Sequence, residues 1–258
     1  MSVPTQITPD GTHRAVTRAW VPEAPIALEF NGLSYAVMMG TPADLEDFAT
    51  GFALSEGLAF AASEVPDIAI AHVAQGWIVR AQLRGLGIDK LTQRVRTRVA
   101  ESSCGLCGIE NLAEVARPLP PVAAHTAIRA AAIFAALAAL RPLQTLNAQT
   151  GAAHAAAWRN ETGEIGLLRE DVGRHNAMDK LIGAAARAGQ SLASGFMLST
   201  ARCSYEIVEK AVRAGATSLV CVSLPTSFAV ERAEAAGLSL WALARDDSVL
   251  LVNNASTE

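Results

Sequence analysis

Residues 195–243, GFMLSTARCSYEIVEKAVRAGATSLVCVSLPTSFAVERAEAAGLSLWAL, decide the fold. Short apolar runs at Phe196 to Ser199, Ser218 to Val222 and Leu238 to Leu243 alternate with helical patterns at Ser204 to Ala214 and Thr226 to Ala236. Gly215 and Gly237 stand where helix C-caps belong, because glycine takes the left-handed backbone of that position without steric cost. Strand-helix-strand-helix-strand units connect right-handedly into a parallel sheet covered by helices. Ligands of such sheets gather beyond the C-terminal ends of the strands, here Thr200 to Arg202, Leu224 to Thr226 and Ala244 to Ser248.

Toward the N terminus, Gln149-Thr150-Gly151-Ala152-Ala153-His154 precedes the apolar stretch Ala155 to Trp158, which puts His154 where a loop enters a strand. The longest apolar run, Ala130 to Leu140 between Arg129 and Arg141, is far shorter than the ~20 residues of a membrane span and reads as a buried helix. Pro118, Pro120 and Pro121 interrupt the chain before it and suggest a lobe boundary. Upstream, Ile26 to Phe30 and Ser34 to Met39 flank Asn31-Gly32, a dipeptide that tolerates positive φ and so predicts a hairpin. Thr41 as N-cap and Pro42 in the first turn predict a helix with Leu45, Phe48, Ala49 and Phe52 on one face, stopping near Gly57. Asp67 to Ala74 and Trp77 to Leu83 flank a further turn. The expected organisation is a flexible tail over 1–17, an α+β lobe over 18–117 ending in a two-cysteine loop and helix, and an α/β lobe over 118–258.

Composition narrows the function. The chain has 258 residues, 51% of them hydrophobic and 18% charged, enough to bury a sizeable core. Lys+Arg 21 against Asp+Glu 25 gives a net charge of -4, which argues against binding dominated by nucleic-acid phosphates or an anionic membrane surface. The start, MSVPTQITPDGTHRAV, has no apolar export core, so a cytoplasmic protein is expected. Four cysteines, two of them three positions apart, do not resemble a disulfide framework and point to reactive thiols or a metal site.

Ser102-Ser103-Cys104-Gly105-Leu106-Cys107-Gly108 puts two thiols on one tight turn whose glycines permit close approach of another molecule. Ile109, Leu112 and Val115 follow at helical spacing, so the thiols precede a helix N-terminus, whose partial positive charge favours thiolate. Free cysteine is only about 3% thiolate at pH 7 without such help. Zinc would need two more ligands, yet Cys203, Cys221 and the five histidines are scattered, and no histidine has the Glu two positions on that a zinc deaminase requires. No metal site is expected. Cys203 and Cys221 read first as small buried hydrophobes.

The second dense segment is Glu170-Asp171-Val172-Gly173-Arg174-His175-Asn176-Ala177-Met178-Asp179-Lys180-Leu181-Ile182. Ala177, Met178, Leu181, Ile182 and Ala185 share one helical face, leaving His175, Asn176, Asp179 and Lys180 on the other, as a binding face or as a solvated one with i,i+4 pairs. Asp171 can cap the helix, and free N–H groups near Gly173 and Arg174 can receive an anion. Arg202, just past a strand, is well placed to meet phosphate.

These segments together resemble the FdhD family, the sulfur carrier proteins required for formate dehydrogenase activity. The resemblance rests on FNGLSYAVMMGTPADLEDFATGFALSEGL, SSCGLCGIENL, QTGAAHAAAW, EDVGRHNAMDKLIGA, Arg202-Cys203-Ser204-Tyr205-Glu206 and PTSFAVERAEAAGLSL, in family order. It implies a cytidine-deaminase-like three-layer α/β/α sandwich in the C-terminal part with a smaller α+β N-terminal lobe, and a homodimer. It also implies that a cysteine desulfurase loads sulfane sulfur on the CxxC. The sulfur then goes to the molybdenum or tungsten of a bis-pterin guanine dinucleotide cofactor, bound as client, of formate dehydrogenase.

By position, Cys104 matches the family's persulfide-bearing cysteine and Cys107 its second thiol. The pterin-nucleotide segment falls on Leu243, Ala244, Arg245, Asp246, Asp247 and Ser248, at a strand end already marked as a ligand edge. Asp246-Asp247 stand where the family often has glycine and basic residues, and would repel phosphate unless turned away or bridged. Arg174, His175, Lys180 and Arg202 are expected to help hold phosphate or guanine. The alternatives are a cofactor-binding chaperone that transfers no sulfur and a dithiol oxidoreductase.

Overall fold

Two sheets, one in each half of the chain, frame the protein. The computed structural model describes residues 3–85, 91, 118–125, 127–160 and 163–256. The first sheet has the order β4-β3-β6-β5, built from β3 (Ala24–Phe30), β4 (Leu33–Gly40), β5 (Ile68–Val73) and β6 (Gly76–Ala81). Both pairs are antiparallel hairpins, joined through parallel β3 and β6. Asn31 (φ 50) and Gly32 (φ 79) make the first turn, as the sequence predicts. Helix α1 (Leu45–Ser55) lays Phe48 and Phe52 on the inner face, against Ile26, Leu28, Phe30 and Val79. Ahead of this sheet, β1 (Thr5–Ile7) and β2 (His13–Ala15) pair as a small ribbon with every residue exposed, within the segment read as a tail.

The start of α1 departs from the prediction. The N-cap is Asp44 and the helix begins at Leu45, rather than at Pro42 behind a Thr41 cap, because the Thr41 backbone and hydroxyl are taken by the other half of the chain.

The second sheet has the order β12-β11-β10-β9-β7-β8, from β7 (His154–Arg159), β8 (Ile165–Asp171), β9 (Phe196–Ser199), β10 (Ser218–Cys221), β11 (Ser239–Ala242) and β12 (Leu250–Asn253). β9, β10 and β11 are parallel, as read, while β7 and β12 pair antiparallel on either side of them, so the sheet is mixed. Alternation along β9 shows the layering: Phe196 and Leu198 face α2 (Ala130–Leu143), whereas Met197 faces α4 (Arg174–Arg187), α5 (Tyr205–Arg213) and α6 (Ser227–Ala236). The short α3 (Thr145–Thr150) links α2 to β7. The result is a three-layer α/β/α sandwich beside a smaller α+β lobe.

Helix α1 packs directly on α4. A Cβ at Gly183 would lie 1.8 Å from the Asp47 carbonyl oxygen, and one at Gly51 would lie 1.7 Å from that of Asp179. The absent side chains therefore let the two backbones touch, which packs the lobes closely along this helix pair.

Candidate functional site

The motif at Glu170–Lys180 is largely internal structure. The Asp171 and Lys180 side chains are fully buried and their charged atoms lie 2.6 Å apart. Asp171 Oδ2 accepts the Thr41 N–H at 3.0 Å, Lys180 Nζ donates to the Thr41 carbonyl at 2.9 Å, and the Val172 N–H donates to the Thr41 hydroxyl at 3.1 Å. Asn176 Nδ2 donates to the Met39 carbonyl at 2.8 Å. Asp171 Oδ1 also accepts the Gly173 N–H at 2.7 Å, so it serves the start of α4 from two residues before the N-cap, Gly173. Glu170 turns the other way and takes the Leu146 and Asn147 N–H groups at the start of α3.

Lower on α4, Asp179 is held by Lys210 (2.8 Å) and Ser55 (2.7 Å). At the helix end, Arg187 pairs with Glu46 and Asp47, and Arg169 also reaches Asp47. The polar face of α4 is thus neither solvated nor ligand-binding along most of its length, because α1 covers it. Lys180 is corrected as a phosphate contact: no part of its ammonium is exposed, and Asp171 neutralises it.

What the clamp leaves over lies at the strand ends. Arg174 and His175 are half-buried at the start of α4, His154 opens β7 as read, and Arg202 is exposed after β9. Ser204 is the N-cap of α5 and Glu206 lies in its first turn. His175 Nε2 stands 3.8 Å from Glu206 Oε2, and these side chains are 20% and 15% exposed. His175 Nε2, Ser204 Oγ and Glu206 Oε1 are buried without a hydrogen-bond partner.

Burial raises the Glu206 carboxyl, but His175 and Ser204 beside it outweigh that and hold it below the ordinary glutamate value. Burial, then the Arg174 charge, pushes the His154 imidazole below its ordinary value, against Asp171, so it is neutral at pH 7. Buried polar groups left open in this way fit a polar ligand that closes them. In the sequence Ser204 and Glu206 stand out only as part of the Arg202–Glu206 stretch and carry no site signal of their own, since a serine and a glutamate at a helix start have the chemistry of ordinary capping residues.

The segment after β11 turns sharply. Leu243 takes a left-handed φ of 46, Ala244 is buried with its N–H on the Cys221 carbonyl, and Arg245, Asp246, Asp247 and Ser248 are exposed. Asp246 is bridged by Arg141 at the end of α2, 2.9 Å away, so one of the two acidic charges faces a partner. Cys203 and Cys221 are both fully buried. Its hydrogen bond with Cys203, together with burial, pushes the Cys221 thiol well above its ordinary value, so Cys221 stays a neutral, unreactive thiol. Cys104 and Cys107 lie outside the described residues. Among the described residues, no group of three or more His, Cys, Asp or Glu is placed to hold a metal, and no helix is long and apolar enough to cross a membrane.

The profile of the FdhD/NarQ family matches residues 21–256. This chain belongs to the FdhD/NarQ family. Among its FdhD/NarQ relatives, the sulfur carrier protein FdhD of Variovorax paradoxus (strain S110) is 44% identical over 235 residues, covering 91% of this chain and 84% of that one. The sulfur carrier protein FdhD of Cupriavidus necator is 46% identical over 223 residues, 86% and 77% of the two chains. A crystal structure from Desulfotalea psychrophila, provisionally described as a formate dehydrogenase accessory protein, superposes with a TM-score of 0.77 at 24% identity, over 98% of this chain and 96% of that one. It supports the FdhD/NarQ fold described above.

Proposed function

We propose that this protein is a sulfur carrier serving formate dehydrogenase. Cys104 accepts sulfane sulfur from a cysteine desulfurase and passes it to the metal of a bis-pterin guanine dinucleotide cofactor, with the nucleotide arms received at the strand-end edge. The carrying observation is identity above 40% with sulfur carrier proteins over most of the chain, together with two thiols at Cys104 and Cys107.

The chemistry suits a thiol pair. Cys104 thiolate attacks the terminal sulfur of the donor persulfide, the donor cysteine leaves as thiolate, and Cys104 holds the sulfur as a persulfide. Attack of Cys107 on the inner Cys104 sulfur then closes a Cys104–Cys107 disulfide and releases the outer sulfur at the sulfide level, the two electrons coming from the thiols. The edge supplies a different part of the task. Arg174, Arg202 and Arg245 offer guanidinium groups suited to phosphate, and Arg141 bridges Asp246.

The test incubates the purified chain with a cysteine desulfurase and cysteine, followed by intact and peptide mass measurement before and after reduction. A reducible one-sulfur addition on Cys104, absent from Cys104→Ala, is the expected result. No addition with an active desulfurase and accessible thiols would overturn the carrier step. Restored formate dehydrogenase activity by Cys104→Ala would favour a chaperone that inserts the cofactor without transferring sulfur.

A further inference from the structure

His175 and Glu206 come from different helices, α4 and α5, and meet at the strand-end edge with Nε2 and Oε2 3.8 Å apart. That separation is too long for a hydrogen bond and short enough for strong charge interaction. His175 Nε2, Glu206 Oε1 and Ser204 Oγ are all buried without a hydrogen-bond partner, so the cluster is assembled but not closed. Contacts of this kind commonly tighten when a ligand arrives.

The donor and acceptor chemistry fixes the roles. An ionised carboxylate only accepts, so Nε2 carries the proton when the pair closes, and Nδ1 is the nitrogen left for a ligand. In the neutral ring Nδ1 is a lone pair; in the imidazolium it is a donor. A phosphate oxygen only accepts, so it selects the imidazolium, and binding takes up a proton. His154 on β7 is in electrostatic reach of His175, and also of Arg174 on α4 and Asp171 at the end of β8. Of these, Asp171 is neutralised by Lys180 and His154 is uncharged at pH 7, which leaves Glu206 as the anion facing the ring.

We infer that Glu206 is a positioning residue that orients His175 as a proton-linked contact for the diphosphate of a nucleotide at this edge. The inference rests on the reading that the edge receives the nucleotide arms of the client cofactor.

The test uses the full chain with guanosine diphosphate as probe, titrated calorimetrically from pH 6 to 8.5 in buffers of different protonation heat. The native chain is expected to take up close to one proton per nucleotide at pH 7.5, its affinity falling by up to tenfold per pH unit on the alkaline side. Glu206→Gln keeps the volume and removes the charge; its affinity at pH 7.5 should drop about fivefold to tenfold, with the alkaline fall starting at lower pH. Glu206→Asp should restore part of the native profile, and His175→Gln should bind without proton uptake.

A ¹⁵N spectrum of the native imidazoles needs no variant: the nucleotide should convert the His175 ring to its doubly protonated form at pH 7.5. An unmoved pH profile in Glu206→Gln, proton uptake persisting in His175→Gln, or an unchanged ring on saturation would overturn the positioning role. If the native chain binds no nucleotide across the range, the reading of the edge falls with it. Nucleotide binding with an unmoved profile removes the positioning role alone.

Discussion

Helix α4 treats its two ends differently. From Asn176 to Ala185 every residue is buried, and the polar ones are consumed internally by Thr41, Met39, Ser55 and Lys210. One turn earlier, Arg174 and His175 carry the same kinds of group at a half-open strand edge. Sequence pattern alone gives the two ends the same appearance. The difference is the partner: α1 lies over the body of α4 and leaves Arg174 and His175 at its start uncovered. A polar helical face is therefore evidence of a binding site only where no second element covers it.

The largest effect should come from breaking the covered half. Lys180→Met leaves Asp171 charged in a fully buried position, with Thr41 losing one of its partners. Removing one partner of a buried pair destabilises by about 3–5 kcal/mol. Urea unfolding of Lys180→Met should show a loss in that range; a loss under about 1 kcal/mol would mean the clamp does not hold the lobes together. Gly183→Ala acts at the same contact by sterics, since its new Cβ meets the Asp47 carbonyl. The helices would have to separate, and overpacking of this kind costs about 1–3 kcal/mol.

The covered body of α4 and the open cluster beside its first turn should also respond to pH with opposite sign. Burial raises Asp179 above its ordinary value, against Lys210 and Ser55. Its native state binds the proton more tightly than the unfolded chain, so its contribution is full in acid and is lost as pH rises through the folded value. Lys210→Met removes the main opposing charge and should lose more stability at pH 7 than at pH 4.5. Glu206 is lowered, so its contribution is present at neutral pH and is lost as pH falls through the folded value. Glu206→Gln should therefore flatten the acid limb of the stability profile. Parallel pH dependence in the two variants would contradict this assignment of environments.

The sequence reveals the fold where local chemistry and tertiary structure agree. Asn31-Gly32, the Thr226 cap with its Oγ1 accepting from Ala229, and Gly237 at φ 74 each mark an element boundary that the structure keeps. It misleads where a long-range contact overrides a local signal. Thr41-Pro42 has the chemistry of a helix start, but Thr41 is drawn across to Asp171 and Lys180, and the helix begins three residues later. The antiparallel β12 is added to the sheet through pairing with β11, a long-range outcome that a four-residue strand does not announce by its own pattern. At the site, Arg202 and the segment after β11 follow from the rule for strand ends, whereas Glu206 meets His175 only because α4 and α5 pack side by side on the sheet.

The smallest effect concerns Asp246, and it separates stability from binding. The Arg141–Asp246 pair is exposed, with side chains 76% and 67% accessible, and such pairs contribute about 0.2–1 kcal/mol. Arg141→Ala should therefore leave unfolding nearly unchanged. Its electrostatic consequence is larger than its structural one, because it leaves two unneutralised carboxylates, Asp246 and Asp247, on the loop beyond β11. Guanosine diphosphate affinity should weaken by about threefold to fivefold at low salt, and Asp246→Asn in the same chain should recover it. Both effects should fade as salt rises and screening shortens the reach of exposed charges. If Arg141→Ala leaves affinity unchanged at low salt, the loop beyond β11 is not near the bound phosphates, and the ligand edge contracts to Arg174, His175 and Arg202.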